Sequence, residues 1–296
     1  MPITYRDLTT LEEFARVVDL ERKIWGPGYD EVVPVPILAV TVKRGGILIG
    51  AFDDSRAAAG AGPPSEPGQA QPAPDLDRMI GFVYSLPGIR EGLPTQWSHM
   101  LGVVDAFRSA GVGRELKLLQ RQRTLAMGLD LIEWTYDPMQ AMNAHLNFAK
   151  LGVVVEEYEE NVYGESTSPL HRGNPTDRFV AEWWVRRPHV ERRIAHRGPF
   201  RIRTSELADA VPINQVAATG EWLESVDVDL SIDERRLLVH IPTGFTDMLA
   251  RNPELALAWR ICTRAIFTTY FDRGYHAVDF ILDRAARRGT YVLARH

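Results

Sequence analysis

Arg108, Gly111 and Gly113, spaced R-x-x-G-x-G, can do chemistry together. Ahead of them Trp97 to Val103 reads as a buried strand, and behind them Gly113 to about Met127 reads as an amphipathic helix. Glycines without a Cβ let backbone N–H groups turn inward and approach an anion. The helix that follows points its positive end at the same spot. The N–H groups of Ser109, Ala110, Gly111, Val112, Gly113 and Arg114 are therefore candidate phosphate donors. A nucleotide P-loop needs Gly-Lys-Ser/Thr, which Gly113-Arg114-Glu115 lacks, and a dinucleotide fingerprint needs a third glycine that is missing. On the strand, His99 lies two residues before Leu101, so alternation puts both on one side. An imidazole with a pKa near 6.5 can take a proton at neutral pH. The bland alternative is a buried histidine bonded to a backbone group.

This loop resembles the pyrophosphate loop of the GNAT-type acyl-coenzyme A N-acyltransferases, whose signature is Q/R-x-x-G-x-G/A. The resemblance implies that the backbone of Leu101 and Val103 pairs with the pantetheine arm and supplies oxyanion donors, and that the loop amides hold the pyrophosphate. It implies direct attack of an amine on the thioester in a ternary complex, with a base for the ammonium and an acid for the thiolate. His99 is similar to the strand histidine that serves as base in arylalkylamine N-acetyltransferases. The acid of the family is a tyrosine in A-x-x-x-Y-x-K-L-G. Here the run is Ala144-His-Leu-Asn-Phe148-Ala-Lys-Leu-Gly152, and phenylalanine cannot donate a proton. Tyr163 is the substitute; its other readings are a packing residue, or no acid at all with the thiolate released to water.

Asn143 and Asn147 stand at i and i+4 on the same helix, as pantetheine contacts or solvent-facing amides. Glu133, Trp134, Tyr136 and Asp137 lie where the resemblance places the acceptor slot, although aromatics there also serve as core. Arg178 can pair with a substrate carboxylate, or with Asp137 or Glu182. The runs Ser98 to Val103, Trp134 to Pro138, Asn143 to Asn147 and Asn161 to Gly164 resemble those of bacterial predicted acyltransferases associated with N-acylamino acid racemases. That subgroup implies acetyl-CoA or succinyl-CoA as donor and an amino acid or other small-molecule amine as acceptor. Protein N-acetylation and a catalytically inactive coenzyme A-binding scaffold are the alternatives. A homodimer is left open.

The elements that must position these residues follow in order. Ile3 to Asp7 reads as a strand, and Leu11 to Trp25 as a helix capped by Thr9 or Thr10 with Glu12 and Glu13 in its first turn. A second helical stretch runs around Pro36 to Arg44, then strands at Ile47 to Phe52 and Met79 to Leu86. Between the strands, 55–77 is Ala, Gly, Pro, Ser and Gln, a disordered insertion by composition. Leu129 to Tyr136 is a further strand, Pro138 to Leu151 a helix stopped by Gly152, and Val153 to Tyr163 and Arg178 to Val185 two more strands. This is the element order of an α/β GNAT fold with a mixed sheet over 1–187. The Arg186–Arg197 run reads as a solvated linker. In 188–296, strands at Phe200 to Arg203, Leu237 to Ile241 and Tyr275 to Leu282 and a helix from Leu255 to Asp272 suggest a diverged GNAT-like half domain. It matches 237–282 to 97–137 and has lost the coenzyme A loop; the alternative is an unrelated α+β cap.

With 296 residues and 45% hydrophobic content, the chain can bury a large core, and the reading gives two domains. A net charge of -5 offers no general attraction to nucleic acid or anionic membrane. No apolar run approaches the roughly 20 residues a membrane span needs. A single cysteine, Cys262, excludes an internal disulfide and fits a cytoplasmic setting. The eight histidines show no metal-binding spacing.

Overall fold

The computed structural model describes residues 2–26, 29, 31–55, 76–164, 173–196 and 207–295. Most of the expected insertion (56–75) and the expected strand at Phe200 to Arg203 lie outside the described residues. By contacts the chain divides into two units, Met1–Ile132 and Glu133–His296.

The first unit holds four antiparallel strands in sequence order: β1 (Ile3–Asp7), β2 (Ile47–Asp53), β3 (Met79–Arg90) and β4 (Leu93–Val103). Helix α1 (Leu11–Trp25) starts at Thr10, whose hydroxyl accepts from the Glu13 N–H while the Glu13 carboxylate accepts from the Thr10 N–H. This reciprocal cap satisfies two amide donors that a helix start leaves open. Helix α2 (Val35–Lys43) follows Pro34, and α3 (Val112–Ala126) follows the glycine loop. Strand alternation sends Leu48, Phe52, Phe82 and Tyr84 to a core with α1 and α2, and Ile47, Ile49, Ala51 and Val83 to a second core with α3. Hydrophobic burial on both faces, at about 25 cal/mol per Å² of apolar surface, holds the sheet between its helices.

The second unit holds two sets of three neighbouring strands. Strand β5 (Leu131–Tyr136), which crosses the unit boundary, leads to helix α4 (Ala141–Ala144), a π-helical stretch (His145–Leu151), β6 (Val154–Glu159) and β7 (Arg178–Trp184). After helix α5 (Pro188–Ala195) come the short β8 (Val211–Pro212) and a separate hairpin of β9 (Gln215–Thr219) and β10 (Trp222–Val226). Then β11 (Arg236–Pro242) leads to α6 (Phe245–Arg251), α7 (Pro253–Asp272), β12 (His276–Asp283) and β13 (Arg288–Ala294). The strand order is β5-β7-β6 followed by β12-β13-β11-β8. In each half the last strand returns between the other two, and the halves meet where β6 and β12 run antiparallel at Val155 and Ala277.

Of the expected match of 237–282 to 97–137, the strand order shows only that β11 through β13 are arranged as β5 through β7 are, with β13 between β11 and β12. The packing is reciprocal as well. Phe148, between β5 and β6, stands edge-on to Tyr291 of β13 at 5.7 Å, while Phe267 of α7 stands edge-on to Phe179 of β7 at 4.6 Å. The Arg-rich stretch expected as a linker is helix α5, which buries Val190 and lays His189 Nε2 3.0 Å from the Gly152 carbonyl. Among the described residues no helix is long and apolar enough to cross a membrane.

Candidate functional site

In the first unit the site is built on β4. Leu86 of β3 pairs with Trp97 and Tyr84 with Met100, so Ser98 and His99 together oppose the single residue Ser85. This β-bulge breaks the alternation assumed from the sequence. Leu101 packs in the α3 core, whereas the His99 ring stands edge-on to Tyr84, a member of the α1–α2 core, at 6.0 Å. His99 and Leu101 therefore do not share a face. The bulge residue Ser98 points the other way, accepting from Lys117 Nζ at 2.8 Å and Gln120 Nε2 at 3.0 Å, both from α3. One side of the His99 imidazole is exposed. Loss of water around the rest holds its pKa below the ordinary value, favouring the neutral ring that a base requires.

Beyond Val103 a single 3-10 turn, Asp105–Phe107, leads into the glycine loop. Ser109 and Gly111 both have left-handed backbone, at φ 67° and 87°. Gly111 is the residue before α3, and a Cβ there would meet nothing within 4 Å. The loop thus combines two left-handed residues, open space over Gly111 and the first amides of a 15-residue helix, donors that no intrahelical acceptor reaches. Gly113 faces Leu101 Cδ2, which an added Cβ would approach to 3.7 Å. Arg108 is exposed; its Nη2 lies 2.8 Å from Asp105 and its Nε donates to the Val103 carbonyl at 3.3 Å. Arg114 pairs with Glu115 at 3.0 Å. Within the loop the Ala110 N–H donates to the Phe107 carbonyl at 3.4 Å, and the arginines' partners Asp105 and Glu115 are themselves exposed.

In the second unit the candidates separate into two groups. Tyr163 is 47% exposed, its hydroxyl lies 3.1 Å from Thr135 Oγ1, and the Arg178 guanidinium lies over its ring at 4.9 Å. Thr135 is on the same face of β5 as Glu133, which is itself buried. Tyr163, Arg178, Thr135 and Glu133 thus gather on one side of that sheet. Tyr136 goes to the other side: it is buried, with its hydroxyl 3.5 Å from that of Tyr291, and burial pushes its pKa far up. Asn147 is buried beside Tyr136, whereas Asn143 is exposed. The i, i+4 rule assumes 3.6 residues per turn, and the wider π-helical turn from His145 onward separates the two amides. Phe148 is fully buried.

Several residues of these two regions were not legible from the sequence. Asp137 accepts from the Met139 N–H and from Arg260 Nη1 at 2.8 Å, and Asp177 accepts two bonds from Arg264 and one from the Tyr158 hydroxyl. Arg260 and Arg264 are i and i+4 on α7, a visible spacing whose carboxylate partners lie 123 and 87 residues away. Ser98, Lys117 and Gln120 gave no signal because a lysine on a helix reads as solvated until its burial is seen. Among the described residues no group of three or more His, Cys, Asp or Glu side chains is placed to hold a metal ion.

No family model matches the sequence, and no curated protein matches it. Among solved structures, a chain of the NatC complex bound to Gag peptide and CoA is similar to it at 14% identity. That match covers 62% of this chain and 98% of the other, with a TM-score of 0.45. A putative acetyltransferase of the GNAT family from Desulfovibrio desulfuricans matches at 14% identity over 62% and 99% of the two chains, with a TM-score of 0.41. The ribosomal-protein-S18-alanine N-acetyltransferase from Escherichia coli matches at 11% identity over 62% and 94%, with a TM-score of 0.42.

Proposed function

We propose that this chain is an acyl-coenzyme A-dependent N-acyltransferase that moves an acetyl or succinyl group to the amine of a small molecule, an amino acid in the first instance. One observation carries the reading. The β4 bulge presents His99, and eight residues of chain beyond Val103 lead to the left-handed Gly111 and the opening of α3. A base and an anion cradle are thus held on one continuous strand-loop-helix segment. The acyl thioester brings the electrophilic carbonyl. His99 takes the proton from the attacking ammonium, the backbone N–H groups near Leu101 and Val103 face the developing oxyanion, and the loop amides from Ser109 to Arg114 hold the pyrophosphate.

Tyr163 is the proposed acid, supported by its exposed hydroxyl and by the burial of Phe148. Arg178 and Glu133 are proposed acceptor contacts, and Asn143 a pantetheine contact. Tyr136 and Asn147 are assigned instead to the support beneath these groups, since both are buried. We also retain as proposals an acyltransferase domain over 1–187, a C-terminal half derived from the same fold over 188–296, and a cytoplasmic setting.

The test is free-thiol release from acetyl-CoA and succinyl-CoA against a panel of D- and L-amino acids, simple amines and short peptides. Release that requires one acceptor class, and that falls by about 10² or more in His99→Ala, supports the reading. Release with peptides alone moves the function to protein N-acetylation. Coenzyme A binding by calorimetry without release from any acceptor supports the scaffold alternative, and no binding at all defeats the reading of the loop.

A further inference from the structure

Lys117, Ser98 and Gln120 form a polar cluster that the proposed chemistry does not use. Their relative exposures are 2%, 5% and 0%, so all three are removed from water. Lys117 and Gln120 lie on the buried side of α3 with Val112, Leu116 and Thr124, surroundings in which a lysine is costly to hold. Burial pushes the Lys117 pKa well below its ordinary value. A methionine or leucine would fill the same volume without this cost. What the lysine does instead is donate to Ser98 Oγ, alongside Gln120 one helical turn further on.

Ser98 is half of the bulge and His99 is the other half. Across the bulge, Ser85 is fully buried and spends its hydroxyl on Gln96 Oε1 at 2.7 Å, and Gln96 Nε2 donates to the Gly45 carbonyl at 2.8 Å. The opposing residue is thus engaged along the sheet and does not hold Ser98. A bulge costs local ladder bonds, and it persists where side chains over-determine it. Here the determinants come from α3, the helix whose first turn belongs to the proposed anion cradle. We propose that Lys117 and Gln120 are positioning residues: gripping Ser98 from behind β4, they fix the bulge that turns His99 onto the face carrying Tyr84. The role assigned to His99 rests on the acyltransferase reading; the grip on the bulge does not.

The experiment compares Lys117→Met, Ser98→Ala and Ser98→Thr in the full chain. The His99 imidazole is followed through its pH titration by NMR, its resonance identified by loss in His99→Gln. Wild type titrates below the ordinary histidine range. In Lys117→Met and Ser98→Ala the midpoint moves back toward that range, because the ring leaves its place over Tyr84. Ser98→Thr keeps the acceptor oxygen and keeps the wild-type midpoint. Where transfer is measurable, kcat falls by about 10- to 100-fold in the first two variants with the donor KM unchanged, the signature of misplacement and not of lost binding. Lys117→Met also removes the buried amine, so its thermal midpoint does not fall, and the loss of turnover is not a loss of folding. A His99 midpoint unchanged in folded Lys117→Met and Ser98→Ala overturns the proposal, whatever the activity. Absence of acyl transfer in wild type would defeat the function proposed above, while the titration still decides the role of the bulge.

Discussion

Glu21 shows at the scale of one residue how this fold responds to pH. It is fully buried on α1; Oε2 accepts from the Val33 N–H at 2.8 Å, while Oε1 has no partner among the described residues. Burial pushes its pKa up from 4.5 to about 7, against smaller opposing effects from the Val33 N–H and Arg22. An acid whose folded pKa is raised binds a proton more readily folded than unfolded, so its contribution to stability falls as pH rises from about 4.5 to about 7. The full difference is about 3 kcal/mol. Glu21→Gln keeps an acceptor for Val33 and cannot ionise. Urea denaturation at pH 5 and pH 8 should show the variant gaining on wild type by about 2–3 kcal/mol at the higher pH. An equal gap at both pH values would show that Glu21 ionises as readily in the folded protein as in the unfolded chain. Nothing in Asp19-Leu-Glu21-Arg-Lys-Ile-Trp25 announces this, because the residue that captures the carboxylate is 12 positions away and across a loop.

At the scale of elements, α3 and its loop were the most legible part of the chain, because every signal there is local: strand, arginine, two glycines, amphipathic helix. The bulge and the π-helical stretch were invisible, since each depends on pairing or packing with elements distant in sequence. The face shared by His99 and Leu101, and by Asn143 and Asn147, was misjudged for that reason. The loop makes a prediction that separates folding from binding. Gly111 is left-handed and Gly113 is not, although both leave room for a Cβ. Gly111→Ala should therefore cost about 1–2 kcal/mol of stability from backbone conformation. Gly113→Ala lies in the first turn of α3 and should be neutral or stabilising by up to about 1 kcal/mol. The Gly111→Ala methyl enters the open space left for a pyrophosphate, so calorimetry should find coenzyme A binding weakened, whereas the Gly113→Ala methyl packs against Leu101 Cδ2 and should leave binding intact. Binding intact in folded Gly111→Ala would remove this loop as the anion site.

At the scale of the whole chain, strands and helices of the second half were legible from local pattern, but their order in the sheet was not, because strand neighbours are distant in sequence. The structure ties the two halves of the Glu133–His296 unit through charge as well as aromatic packing. Arg260 and Asp137 are 1% and 4% exposed and bonded to each other, with Asn174 as a further partner of the arginine. Burial alone would raise the Asp137 pKa, and the Arg260 charge brings it below the ordinary value. Removing one member of such a pair leaves the other charged and uncompensated, at a cost of about 3–5 kcal/mol. Arg260→Met should show that loss. Asp137→Asn, which keeps the acceptor for the Met139 N–H, should recover at least about 1 kcal/mol of it in the double variant. The pH dependence should also change sign. In wild type a depressed carboxylate stabilises above its unfolded pKa and that stability is lost as pH falls through the folded value. In Arg260→Met desolvation dominates, so the contribution of Asp137 falls as pH rises above the ordinary carboxylate range. Denaturation of the full chain from pH 4 to pH 8 would show this as a gap from wild type that widens with pH. A gap constant over that range, or strictly additive single losses, would mean that the Arg260–Asp137 pair does not tie the two halves together.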